Sequence, residues 1–238
     1  MSNAELLMTF PKPQLDAIFL RRPQRFLAEM ALPDGTQTVA YCANPGSLSG
    51  CLHPGSPALL WDSAEPKRKR RYTWRAIELD GVWVGTDTHL ANRLVEEALS
   101  QHLIPGLNRY EKLEREKLVE TGHRVDFLLT GTEGVCFLEV KSATVVEKGV
   151  ARFPDSITPR GLKHLEGLTR KAEEGHRVAL LYLIQREDAE SFSINKTHYP
   201  AYGLAFKKAV AAGVETIALS VAVNSEGFGM PRIVPVNF

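Results

Sequence analysis

The 238-residue sequence has little that would tie it to a membrane, to a disulfide scaffold or to a polyanion at long range. No apolar run approaches the roughly 20 residues that span a bilayer. The N-terminus lacks the basic, apolar, small-residue order of a secretory signal, so no membrane partner and a cytoplasmic location are expected. Cysteine is scarce: Cys42, Cys51 and Cys136 are odd in number and contain no CxxC pair. They indicate neither a disulfide framework nor a zinc site and read as small buried residues. Charge of one sign is missing too, since 29 Lys and Arg against 28 Asp and Glu leave a net charge of +1. Global electrostatics therefore does not attract nucleic acid, and any such binding must come from local clusters. No internal repeat or low-complexity segment is visible.

What is present is an ordinary globular composition, 44% hydrophobic and 24% charged, in a chain long enough for two unequal domains. Over residues 14–84, short strand-like stretches alternate with turn signals such as Pro33-Asp34-Gly35, Pro54-Gly55 and Asp80-Gly81. That spacing predicts an all-β N-terminal module, an OB-like barrel over residues 1–84. From Asp87 the pattern changes. Leu90, Leu94, Val95, Ala98 and Leu99 recur at helical spacing, and a second helix begins at Thr158-Pro159. The segment 177–184 is apolar almost throughout, as a strand covered on both faces would be. Residues 85–238 therefore read as an α/β (α+β) domain, a mixed sheet flanked by helices.

The stretch richest in chemistry is Arg124-Val125-Asp126-Phe127 with Phe137-Leu138-Glu139-Val140-Lys141. In a strand Glu139 and Lys141 share a face. A hairpin centred between residues 132 and 133 would set Asp126 opposite Glu139, and a slip of one residue would separate them. Two close carboxylates without His or Cys favour a hard ion, Mg²⁺ or Mn²⁺, which can activate water and neutralise a phosphodiester. By spacing alone, a solvated sheet face would hold the same residues. Glu97, at the edge of the first helix's apolar stripe, is a further candidate ligand, and equally explicable as a flanking surface acid. Lys67, Arg68, Lys69, Arg70 and Arg71, followed by Tyr72 and Trp74, form a candidate nucleic-acid contact, with Arg21, Arg22 and Arg25 as a second group. Lys163, His164, Arg170 and Lys171 on the second helix are additional candidates for phosphate, with the role of His164 open.

Taken together, these residues resemble the sugar fermentation stimulation protein A family over nearly the whole chain. The motifs include Arg25-Phe26-Leu27-Ala28, Cys42-Ala43-Asn44-Pro45-Gly46, Ala91-Asn92-Arg93-Leu94, Glu139-Val140-Lys141-Ser142, Phe153-Pro154-Asp155 and Arg160-Gly161-Leu162-Lys163-His164-Leu165. The resemblance implies an OB-like domain joined to a PD-(D/E)xK nuclease-like domain, with DNA as partner and sugar metabolism as context. It carries the catalytic set to Glu97, Asp126, Glu139 and Lys141, the first three as metal ligands. Where the family has Asn-Thr-Gly this chain has Asn44-Pro45-Gly46, so no Thr hydroxyl acts there. Three functions stay open at this level: a metal-dependent nuclease, a non-cleaving DNA-binding regulator, and a protein-interaction module.

Overall fold

The computed structural model describes residues 5–120, 123–132 and 134–238. After a short first strand, β1 (Leu6–Thr9), six strands follow: β2 (Gln14–Gln24), β3 (Leu27–Ala31), β4 (Gln37–Cys42), β5 (Pro57–Asp62), β6 (Tyr72–Leu79) and β7 (Val82–Gly85). They lie in the order β4-β3-β2-β5-β6-β7, and a further parallel pairing of β4 with β6 closes them into a barrel. Alternate residues supply its interior, among them Ala17 and Phe19, Ala28 and Met30, Ala40 and Cys42, and Ala58 and Leu60. Asp80 and Gly81 both hold positive φ, 50° and 82°, as a two-residue type I′ turn between β6 and β7 requires.

The rest of the chain forms α1 (Thr88–Ser100), β8 (Lys112–Glu120), β9 (His123–Gly131), β10 (Gly134–Ala143), β11 (Val145–Glu147), β12 (Val150–Phe153), α2 (Pro159–Glu173), β13 (Arg177–Ile184), β14 (Ser191–Ile194), α3 (Pro200–Ala211), β15 (Glu215–Val223), β16 (Gly227–Ile233) and β17 (Val236–Asn237). A seven-stranded mixed sheet runs β1-β16-β15-β13-β10-β9-β8. Its central strands β10, β13 and β15 are parallel neighbours. One face is covered by α1 through Leu90, Leu94 and Val95, the other by α2 and α3 through Leu165, Leu168, Tyr202 and Phe206. Burial on both faces explains why β13 is apolar along its length.

Two features depart from the sequence reading. A small second sheet, β11-β12-β14-β17, is built from strands of two to four residues, too short to leave a periodic pattern. The N-terminal boundary also moves, because β1 pairs with β16 and Leu7 and Phe10 are buried against the α1 side of the large sheet. The first strand therefore belongs to the second domain, and the barrel begins at Gln14.

The two domains share one core, in which Leu59 and Ala76 of the barrel pack with Leu90 and Leu94 of α1. The seam is close enough that the Gly85 N–H donates to the Gln185 carbonyl at 2.8 Å. A Cβ at Gly85 would lie 2.6 Å from the Gln185 side-chain oxygen. Asp155 spans the same seam, accepting from the Ser47 hydroxyl at 3.0 Å and the Leu48 N–H at 2.9 Å. The Asn44-Pro45-Gly46 turn is therefore a joint, with the Asn44 amide donating to the Thr86 carbonyl and its oxygen accepting from Gly46 N–H.

Candidate functional site

β9 and β10 pair Gly131 with Gly134 through to Phe127 with Leu138, so the hairpin is centred between residues 132 and 133 as the spacing requires. The next pair outward would be Asp126 with Glu139, but the ladder stops before it. On the other side, Glu116 of β8 would face Asp126, yet it holds a φ of 51° and makes no pair. Asp126 is thus released from both neighbouring ladders. Its carboxylate instead accepts from the Val140 N–H at 2.8 Å and from the Asn92 amide of α1 at 2.8 Å.

Glu139 lies on the sheet face covered by α2 and is 2% exposed. One carboxylate oxygen, Oε1, takes both the Lys141 ammonium and the His164 Nδ1, the latter at 2.6 Å. Arg160 Nε donates to His164 Nε2 at 3.4 Å, which assigns the remaining ring proton to Nδ1 and makes it the donor to Glu139. The other oxygen, Oε2, is buried without a hydrogen-bond partner. Burial, followed by the charge of Glu139, pushes the Asp126 carboxyl above its usual value. For Glu139 burial acts in the same direction, but the Lys141 and His164 partners overcome it and hold the group at about 2. The charge of Glu139 is thus felt at Asp126, and Glu139 keeps one oxygen without a partner. That donor set suits a hard cation, which needs only one or two carboxylates beside water and phosphate.

Glu97 stands apart. It follows Asn92 by five residues, about 140° around the helix, and its carboxylate accepts from Gln101 of the same helix at 2.8 Å. The helix residue that meets Asp126 is Asn92, with Glu96 one turn further on and paired to Arg115 at 3.3 Å. Among the described residues no group of three or more His, Cys, Asp or Glu side chains is placed to hold a metal ion. Asn92 and Asp155 were missed as functional or joining residues, although both lie in motifs that carry the family resemblance. A neutral amide and a loop aspartate carry no signal until their partners are known.

The basic residues separate into fixed and open groups. Arg21 is held by Glu29 at 2.7 Å. Arg22 is turned inward to the carbonyls of Arg25, Asn44, Gly46 and Ser47. Arg71 makes a two-pronged bond to Asp62, and Arg68 lies over Trp61 at 4.9 Å while donating to Thr73. Lys67, Lys69, Arg70 and Arg25 have no partner among the described residues, and on α2 neither does the exposed Lys163. Trp74 cannot stack a base, because it is fully buried against Phe19 at 5.0 Å with its N–H on the Ala76 carbonyl. Tyr72 is half-buried beneath the Arg71 guanidinium. The neighbouring ring with an open face is Phe26, 44% exposed.

A family model described as the SfsA N-terminal OB domain matches residues 20–86, and one described as the sugar fermentation stimulation protein RE domain matches residues 89–227. The chain belongs to the sugar fermentation stimulation protein family. A homologue from Geobacter sulfurreducens is 41% identical over 229 residues, 96% of this chain and 98% of that one. Another from Ruegeria is 40% identical over 231 residues, covering 96% of this chain and 100% of its own. The solved structure described as Pyrococcus furiosus SfsA in complex with Ca²⁺ superposes with a TM-score of 0.90 at 28% identity, over 99% of this chain and all of that one. The family's two-domain plan is therefore the one seen here, an OB-like barrel followed by a mixed sheet with three helices. No helix among the described residues is long and apolar enough to cross a membrane.

Proposed function

We propose that this family member is a DNA-binding phosphodiesterase of the PD-(D/E)xK type, whose Asp126 and Glu139 hold Mg²⁺ or Mn²⁺. The observation that carries the reading is the Glu139 carboxylate, 2% exposed with Oε2 unpartnered, whose charge adds to burial in raising Asp126. A buried polar oxygen without a partner is costly, and a cation relieves that cost while screening the two acids. The Ca²⁺ complex of the Pyrococcus furiosus relative supports the reading, since Ca²⁺ draws on the same hard oxygen ligands. Such an ion supplies charge neutralisation at a phosphate and a lowered pKa for bound water.

The chain's own residues do the rest. Asn92 and the Val140 N–H hold the Asp126 carboxylate in one orientation. Lys141 presents a cation beside Glu139, where negative charge grows on an attacked phosphate. His164 keeps a proton on Nδ1 and fixes Oε1, leaving Oε2 to face the ligand. Glu97 takes no part in this account.

A non-cleaving regulator is favoured by one observation: Lys141 and His164 both engage Glu139 Oε1, so its charge already has partners without an ion. Incubation of the protein with single- and double-stranded DNA and RNA, with Mg²⁺ or Mn²⁺ and then with chelator, separates the readings. Metal-dependent fragments are expected. Binding without fragments under either metal puts the regulator first, and no binding leaves a protein-interaction module.

A further inference from the structure

The barrel carries an aromatic groove that the acid site does not account for. Phe26 sits at the tight turn between β2 and β3, and its ring lies 6.4 Å from that of Tyr41 on β4 at an interplanar angle of 26°. Tyr41 in turn lies 6.3 Å from the exposed ring of His89 in the first turn of α1. Beside the first two rings is an open groove of about 490 Å³, whose rim is formed by Arg68, Lys69 and Arg70 of the β5–β6 loop. No acid lines it. The turn is rigid, because Arg22 Nε donates to the Arg25 carbonyl at 3.0 Å and the Cys42 N–H to the Phe26 carbonyl at 3.0 Å. Phe26 is therefore held out in water by design of the backbone around it, at a cost in apolar exposure that a ligand would remove.

We infer that this groove seats a single strand of DNA, with bases stacked on Phe26 and Tyr41 and phosphates following Lys69 and Arg70. Base faces are available to surface rings in a single strand and hidden in a duplex, so the exposed Phe26 and half-buried Tyr41 beside cations select the former. The location is the sheet face and the pair of loops that an OB barrel offers to oligonucleotides. The strand is taken as DNA, the nucleic acid of the proposed function, and RNA is an outcome of the test.

The groove also has a direction. From Tyr41 the rings lead to His89, and Asn92, which holds Asp126 at 2.8 Å, is the next residue on that side of α1. A strand stacked on the barrel thus continues towards Asp126 and Glu139, so the substrate of the proposed hydrolysis is single-stranded DNA or a single-stranded tail. Only this last step rests on the hydrolytic reading.

Fluorescence anisotropy with a labelled oligothymidine of about 15 nucleotides, in the size range of such barrels, tests the assignment in EDTA, where neither metal nor cleavage enters. Phe26→Ala should weaken binding about 5- to 150-fold, the range for loss of one stacking ring, and leave the dependence on salt unchanged. Phe26→Tyr, which keeps a ring, should bind as the parent does. Phe26 packs into no core cluster, so Phe26→Ala should keep the parent's melting temperature. Equal affinity of Phe26→Ala and the parent, preference for the matching duplex, or tighter binding of the matching RNA would each overturn the proposal. Single-strand binding lost in Phe26→Ala, in a parent that neither holds metal nor cleaves, would support the groove and remove only the hydrolytic reading.

Discussion

Asp87, at the seam between barrel and sheet, and Glu139, on the central sheet, are both buried carboxylates with a cation beside them, and they are satisfied differently. In Asp87 one oxygen accepts from the His89 N–H at 2.8 Å, capping α1, and the other takes the Arg75 guanidinium. In Glu139 one oxygen takes two donors and the other takes none. Buried polar atoms are mostly paired, and Glu139 Oε2 is the carboxylate oxygen among the few described side-chain atoms that are not. Both oxygens of the seam acid are met within the chain, although Arg75 Nε is buried without a partner. The sheet acid keeps one oxygen unpartnered, which the proposed metal would take up. The same contrast runs through the basic residues, where Arg22 and Arg71 are tied to the protein while Lys69 and Arg70 have no partner among the described residues.

Removing each acid separates the two roles most strongly. Asp87→Ala leaves Arg75 buried without its partner and uncaps α1, and should cost about 3–5 kcal/mol in urea unfolding, whether or not divalent metal is present. Glu139→Gln should also destabilise the metal-free protein, but it alone should erase any added stability conferred by metal. If Mg²⁺ or Mn²⁺ stabilises the Glu139→Gln variant as much as the parent, the distinction between joint and site collapses.

Next in size is the rate effect. If the protein cleaves, Lys141→Ala should slow initial rates by about 10² to 10³ while leaving metal and DNA binding near the parent's, because the ammonium acts as charge develops. Cleavage at the parental rate would remove Lys141 from the mechanism.

Smaller is a change in salt dependence. Neutralising Lys67, Lys69 and Arg70 should flatten the slope of log K against log salt by about 2.7 on duplex DNA, or about 2 on single strands. Neutralising Arg71 should barely alter it, since Asp62 already balances that charge. Equal effects from all would mean that the bond to Asp62 opens on binding.

The smallest effect concerns pH. Asp126 has a raised pKa, so its ionised form costs stability near pH 7, and that cost is relieved as the pH falls. Glu139 behaves oppositely: its contribution is complete above its ordinary value of 4.5 and is lost as pH falls towards about 2. Asp126→Asn should therefore raise the metal-free melting temperature at pH 7, with the gain shrinking in acid. A lower melting temperature at pH 7 would mean that its bonds to Asn92 and Val140 outweigh the cost of burial and of the Glu139 charge.

Much of this was readable in the residues, for identifiable reasons. The β9–β10 register followed from the symmetry of the hairpin, and α2 from its Thr158 cap and Pro159. The barrel showed in the spacing of its turns. What escaped reading depended on contacts distant in sequence. The Asn92 amide means nothing until β9 lies beneath it, and Trp74 looked like a stacking ring until the barrel closed around it. Glu97 and Asn92 both flank the stripe of α1, and only packing decides which flank meets the sheet. In the run from Lys67 to Arg71, the bond of Arg71 to Asp62 across the β5–β6 hairpin separates a fixed charge from open ones.

The most direct test is titration calorimetry of Mg²⁺ and Mn²⁺ into the metal-free protein near neutral pH, with Glu139→Gln and Asp126→Asn alongside. The account predicts one site in the parent, weakened sharply in both variants, with each variant still folded by circular dichroism. Binding of equal strength in the parent and both variants, or no binding by the parent of either ion, would contradict it.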